Sequence, residues 1–183
     1  MFPRIVVCVA LHLLNDHRVV DIRPIRSEDG TRLQTYHLGL SDESRYRRFL
    51  GVKPRLSDAD ARYLADVDGS NHFALVATCP ATGHIVGVAR FIRLGEQPDT
   101  AEFAVGVDDA FHRQGLAGEL MSRLAAAARE RGIKRFRASM LADNKAIRKV
   151  MARLAVGPVD VLRRGQVLEL EIELARQSHS AAA

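Results

Sequence analysis

Apolar residues alternate with small or polar ones over Glu102–Val107, where Phe103, Val105 and Val107 share one side and Glu102, Ala104 and Gly106 the other. This period of two predicts a strand, ended by Asp108-Asp109. From Leu116 the period changes: Leu116, Leu120, Leu124 and Ala127/Ala128 recur at helical spacing, predicting a helix to about Arg131. The same reading carried along the chain predicts a first strand at Val20, Ile22 and Ile25, with Pro24 marking a sheet edge or strand end. A helix near 28–38 follows, carrying Leu33, Tyr36 and His37. Ser41-Asp42-Glu43 caps a second helix, with Tyr46, Phe49 and Leu50 inward and Arg45, Arg47 and Arg48 outward. Ser57 and Asp60 form a capping box for a third.

Strands at 72–78 and 85–94 flank a Pro-Ala-Thr-Gly turn and read as a hairpin, with 95–99 a loop into the central strand. A strand at Phe136–Met140, a helix at Asn144–Leu154 and a hairpin around Arg164-Gly165 complete the pattern. The order is β, helices, β-β-β, α, β, α, β-β. It predicts one α/β domain over residues 19–174, with a mixed, mostly antiparallel sheet of about six to seven strands and helices on both faces. Residues 1–18, with the apolar run Ile5–Leu14, form an N-terminal extension of unclear role, and 175–183 a flexible tail.

Composition narrows the partners. The chain of 183 residues is 47% hydrophobic and 27% charged, enough for one globular domain with a substantial core. A net charge of +5 is mild and suits a polyanionic small ligand. Aromatic residues make up 5%, and neither zinc-finger spacing nor an aromatic RNA-binding motif occurs, so no nucleic-acid partner is expected. No apolar run has the length of a membrane span. Cys8 and Cys79 make no disulfide framework, and the seven histidines lack ligand spacing; a reducing cytoplasm and no metal are expected. Oligomeric state is not legible.

The segment His112-Arg113-Gln114-Gly115-Leu116-Ala117-Gly118 joins the central strand to its helix. A glycine-rich turn opening a helix presents unpaired backbone N–H groups, which together with the helix dipole bind anions, above all phosphates. An ordinary helix start would also use glycine here. Neither standard phosphate fingerprint is present: there is no G-x-x-x-x-G-K-[ST] and no G-x-G-x-x-G with an acidic ribose partner. Glu102 reads either as a solvated strand residue or ion-pair partner, or as a carboxylate with room beside it, since Ala104 and Gly106 on its face are small.

The stretch 100–131 resembles motif A of the GNAT superfamily of acyl-CoA N-acyltransferases, whose Q/R-x-x-G-x-G/A loop cradles the pyrophosphate of coenzyme A; His112 departs from the usual first residue. The element order from Val19 to Leu174 is similar to that fold. Ile22-Arg23-Pro24-Ile25, the Leu-Ser…Ser-Arg-Tyr…Arg-Phe helix at 40–49, Gly87–Phe91, Ala101–Ala104 and Leu141-Ala142-Asp143-Asn144 resemble the bacterial Pat-type protein lysine acetyltransferases. The resemblance implies acetyl-CoA as cosubstrate, held by 112–118, by the backbone of Val105 and Val107 and by Asn144, whose other role is a helix cap. It implies an acceptor lysine on a protein and Glu102 as general base. GNATs often carry a tyrosine acid seven residues after the asparagine; Met151 stands there. The chain has no room for the regulatory or CoA-ligase-like domains of some Pat enzymes. The alternatives are a small amine acceptor, such as a polyamine or aminoglycoside, or an acyl-CoA-binding module without catalysis.

Overall fold

The computed structural model describes residues 11–174. The run at 1–10, with Cys8 and most of the apolar stretch, and the tail at 175–183 lie outside the described residues.

Eight strands form one sheet in the order β1-β2-β3-β4-β5-β6-β8-β7. They are β1 (Leu11–Leu13), β2 (Val19–Pro24), β3 (His72–Thr78), β4 (Ile85–Leu94), β5 (Gln97–Val107), β6 (Arg135–Leu141), β7 (Asp160–Arg164) and β8 (Val167–Glu173). Every neighbouring pair is antiparallel except β5–β6, which is parallel. The helices are α1 (Gly30–Gly39), α2 (Asp42–Phe49), α3 (Asp58–Ala65), α4 (Leu116–Glu130) and α5 (Lys145–Leu154).

The two faces of the sheet bury different helices, because side chains on a strand alternate. On one side Leu116, Leu120, Met121 and Leu124 of α4 and Met151 of α5 pack on Phe91, Phe103, Phe136 and Ile172. The aromatic rings of Phe73, Phe91, Phe136 and Phe103, from four strands, pack in a chain with successive centroids 5.3–6.2 Å apart, the first pair stacked and the other two tilted. On the other side Leu33 of α1 and Ala65 of α3 pack on Ala74, Val76 and Val88. A backbone this closely covered needs small residues: a Cβ on Gly87 would lie 2.9 Å from a Leu120 methyl.

Three differences from the predicted pattern have physical causes. Two residues, 95–96, suffice to turn the chain, so Gln97–Asp99 belong to β5 rather than to a loop. Leu11–Leu13 form an eighth, edge strand, too short to show alternation, and Leu14 after it is 3% exposed in the core. Leu13 pairs with Val19 in the hairpin of β1 and β2. In α2 the expected orientation holds only in part. Phe49 packs inward as expected, against the core and the buried His37 ring. Tyr46, by contrast, is 44% exposed, Arg45 turns back to donate to the carbonyls of Leu38 (3.2 Å) and Leu40 (2.8 Å), and Arg48 lies over Gly106. In a short helix with three arginines, tertiary contacts place the charged side chains more than the apolar period does.

Candidate active site

The site begins with a failure of pairing. Strands β5 and β6 are hydrogen-bonded only where Thr100–Glu102 face Arg135–Arg137. Beyond them the strands splay, so Phe103–Val107 have no strand partner on that side among the described residues. The wedge opens a cavity of about 560 Å³, in the range of small-molecule sites. Its walls are Phe103–Val107 of β5, Ala138–Met140 of β6, the loop 111–117, α2, and the start of α5.

At the open end of β5 the backbone is bent for an anion. Asp108 caps a single 3₁₀ turn, Asp109–Phe111, by accepting from Ala110 N–H at 2.9 Å. Arg113 (φ 61°) and Gly115 (φ 87°) then both take the left-handed conformation. That geometry is natural for glycine and strained for arginine, and it curls the loop around the first turn of α4. Among the described residues no side chain caps α4, so its leading N–H groups, at the positive end of a fifteen-residue helix, can meet a ligand. The imidazole of His112 faces away from that role: Nε2 lies 3.0 Å from the Val107 carbonyl, so it carries the proton and donates there.

Of the residues expected at the site, Val105, Val107, His112, Arg113, Gly115, Leu116, Ala117 and Asn144 line the cavity. Gln114 and Gly118 do not, and the carbonyl of Gln114 is occupied by the Asn15 N–H at 3.3 Å. Asn144 is the N-cap of α5, its Oδ1 accepting from Ile147 N–H at 3.3 Å. Met151 is 1% exposed, inside the core and apart from any proton transfer. Glu102 is exposed at the closed end of the wedge, beside the cavity rather than on its wall. It shares a face with Ala104 and Gly106, and no hydrogen bond or ion pair from another described residue engages it.

The wall built by α2 is what sequence reading missed. Ser44 and Arg48, four apart and so on one side of the helix, line the cavity with Glu43 and Arg47. That spacing was the available signal. Asp109 ties this helix to the loop after β5: it accepts from Ser41 N–H (2.9 Å), Ser41 Oγ (2.9 Å) and Ser44 Oγ (2.6 Å). Burial alone pushes the Asp109 carboxyl up, but these three donors outweigh it and hold the pKa below the usual carboxylate value. Arg47 reaches across to Asp143 in a bidentate pair, 3.0 Å at each nitrogen, joining α2 to the loop before α5 over the cavity. Arg48 has no ion pair among the described residues. Burial pushes its pKa down, opposed by the Tyr36 phenol and the Glu102 carboxylate. The Tyr36 hydroxyl is itself buried without a partner, 2.9 Å from where a Cβ on Gly106 would stand, and burial pushes its pKa up.

This arrangement can hold a nucleotide pyrophosphate at 112–118 and an extended, amide-bearing arm along the unpaired edge of β5, with a carboxylate near the far end. The comparisons with known proteins show the family to which this fold belongs. The family described as "Acetyltransferase (GNAT) domain" matches residues 20–156, and the chain belongs to that family. Acetyltransferase Pat of Mycolicibacterium smegmatis is 38% identical over 133 residues, covering 73% of this chain and 40% of that protein. The chain thus matches less than half the length of that relative. Acetyltransferase PA5475 of Pseudomonas aeruginosa is 34% identical over 143 residues, 77% of this chain and 76% of that protein. Among solved structures, the GNAT domain of S. lividans PAT superposes with a TM-score of 0.80 at 33% identity, covering 95% of this chain and all of that one.

The fold of the family uses acetyl-CoA as cosubstrate, and the residues present fit it: a left-handed glycine before an uncapped helix for the phosphates, and an unpaired strand edge for the arm. Among the described residues no group of His, Cys, Asp and Glu could hold a metal ion, and no helix is long and apolar enough to cross a membrane.

Proposed function

We propose that the protein transfers the acetyl group of acetyl-CoA to a lysine side chain of a protein, by direct attack, with Glu102 as general base. One observation carries this reading: the splayed β5–β6 wedge, with a phosphate loop at its mouth and an unengaged carboxylate at its closed end. Likeness to two proteins named as Pat acetyltransferases supports the choice of a protein acceptor.

The chemistry follows from acid strength. A lysine ammonium has a pKa near 10.4 and must lose a proton before its nitrogen can attack the thioester carbonyl. Glu102, directly or through a water, takes that proton. The developing oxyanion is met by a backbone N–H of β5 near Val105. The C–S bond then breaks, and the CoA thiolate leaves without needing the tyrosine that Met151 replaces.

The test is a lysate incubated with the protein and radiolabelled acetyl-CoA, then separated into protein and small-molecule fractions. Label on protein lysines is the expected result. Label confined to small amines would move the acceptor to a polyamine-like class. CoA binding without label in either fraction would make the domain a non-catalytic acyl-CoA module.

A further inference from the structure

The family match begins at residue 20, yet the eight described residues before Val19 touch the phosphate loop once and its two flanks once each. They form a hairpin with β2, closed by Leu14 N–H to the Arg18 carbonyl (2.8 Å) and His17 N–H to the Leu14 carbonyl (3.0 Å), with His17 left-handed at φ 66°. Ahead of the loop, the Arg18 guanidinium lies 3.8 Å over the Phe111 ring and donates to the Ala110 carbonyl at 2.7 Å. Asp16 fixes the other side of the same guanidinium, accepting from Nε at 2.8 Å. At the centre, Asn15 N–H donates to the Gln114 carbonyl at 3.3 Å, and its carboxamide sits 3.7–3.9 Å from the Cβ position of Gly115. Behind the loop, His12 Nδ1 lies 3.6 Å from Glu119 in the first turn of α4.

These contacts bracket the curl. A loop holding arginine in a left-handed conformation does not keep that shape unaided. We propose that the hairpin 11–18 is a brace that holds the phosphate loop ready for coenzyme A, with Arg18 as its principal positioning residue. Arg18 suits the role because its plane stacks on the Phe111 ring while its fork donates to a backbone carbonyl and a carboxylate. A loop already in its bound shape loses less freedom on binding, so the brace acts on donor affinity. The inference rests on the reading of 112–118 as the phosphate site.

The experiment uses the full chain and CoA itself. CoA is titrated calorimetrically into the wild type, Arg18→Ala, Arg18→Lys and Gly115→Glu, and amide hydrogen exchange is followed in the unliganded proteins. Arg18→Ala should weaken CoA about tenfold. It should speed exchange of the amides at 112–118 while leaving the interior of α4 unchanged. Arg18→Lys, which keeps the charge and loses the planar fork, should recover only part of the affinity. A fall in melting temperature with uniformly faster exchange and unchanged CoA affinity would reduce the hairpin to a structural strand and overturn the brace. If Gly115→Glu cripples CoA binding while Arg18→Ala binds as wild type, the phosphate site stands and the brace is wrong. If Gly115→Glu binds CoA normally, the phosphate-site reading fails, and the brace with it.

Discussion

At the scale of single residues, Glu102 and Gly106 make separable claims. Replacing Glu102 with glutamine keeps size and polarity but removes the base. On the proposed reading acetyl-CoA is held by the loop and the strand edge rather than by this side chain, so its KM should change little while kcat falls about 10²–10⁴-fold. Raising the pH should partly restore the variant, because a larger share of the acceptor amine is then already neutral. A steady-state pH series on both proteins reads this, and full activity of Glu102→Gln at pH 7 would return the residue to a solvated strand position. Gly106 carries the opposite kind of constraint. Its φ is ordinary, but a Cβ would sit 2.9 Å from the buried Tyr36 hydroxyl and 3.5 Å from Arg48 Cδ. Gly106→Ala should therefore force α1 and α2 outward, costing about 1–3 kcal/mol in a denaturant melt.

At the scale of elements, α2 is held less by its own propensity than by what Asp109 accepts. An eight-residue helix is too short to be stable alone. Ser41 caps it by accepting from Ser44 N–H at 3.2 Å, and Asp109 then fastens both serines to the loop. Asp109→Ala should cost about 1–2 kcal/mol, discounted because the carboxylate is partly exposed. Fluorescence or amide exchange in α2 should show that helix loosening first. The same helix shows where the sequence was and was not legible. Strands β3 and β4, the capping box at Ser57 and the α4 stripe were legible because each follows a local rule of period or cap. Where the charged side chains of α2 turn was not, because Arg45 is drawn to the carbonyls ending α1 and Arg47 to Asp143, a partner about a hundred residues away. Strand β1 escaped for a related reason: three residues cannot display a period, and their place is set by pairing with β2. Within the site, Gly115 and Ala117 announced themselves by smallness beside a helix start. The place of Glu102, at the end of the wedge, depends on where β5 and β6 stop pairing, which no local pattern encodes.

At the scale of the molecule, one buried charge joins β2 to the start of α1, and it sets how the fold responds to acid. Asp29 is fully buried, in the turn between β2 and α1. It accepts from Arg23 at both oxygens (2.7 and 2.8 Å), from Arg26 N–H (2.9 Å) and from Arg32 (3.3 Å). Burial pushes its carboxyl up, yet the Arg23 pair and the Arg26 N–H outweigh that and leave the pKa below the usual value. The sign of the linkage follows. A depressed folded-state pKa contributes stability that is fully present above the unfolded value of about 3.9 and is lost as the pH falls through the lower folded value. Stability from this group should thus be flat from neutrality to about pH 4 and decline below it. Asp29→Asn strands Arg23, whose side chain is 16% exposed, and should cost about 3 kcal/mol at pH 7, the low end for a broken buried pair because Arg23 keeps some water. The difference between wild type and variant should shrink as pH drops below about 4, since the wild-type carboxyl is then protonated as well. Urea melts of both proteins at a series of pH values from neutral to 3 measure that difference directly. A gap that stays constant down to pH 3 would mean that the Asp29 charge contributes nothing, and that its backbone hydrogen bond to Arg26 accounts for the loss.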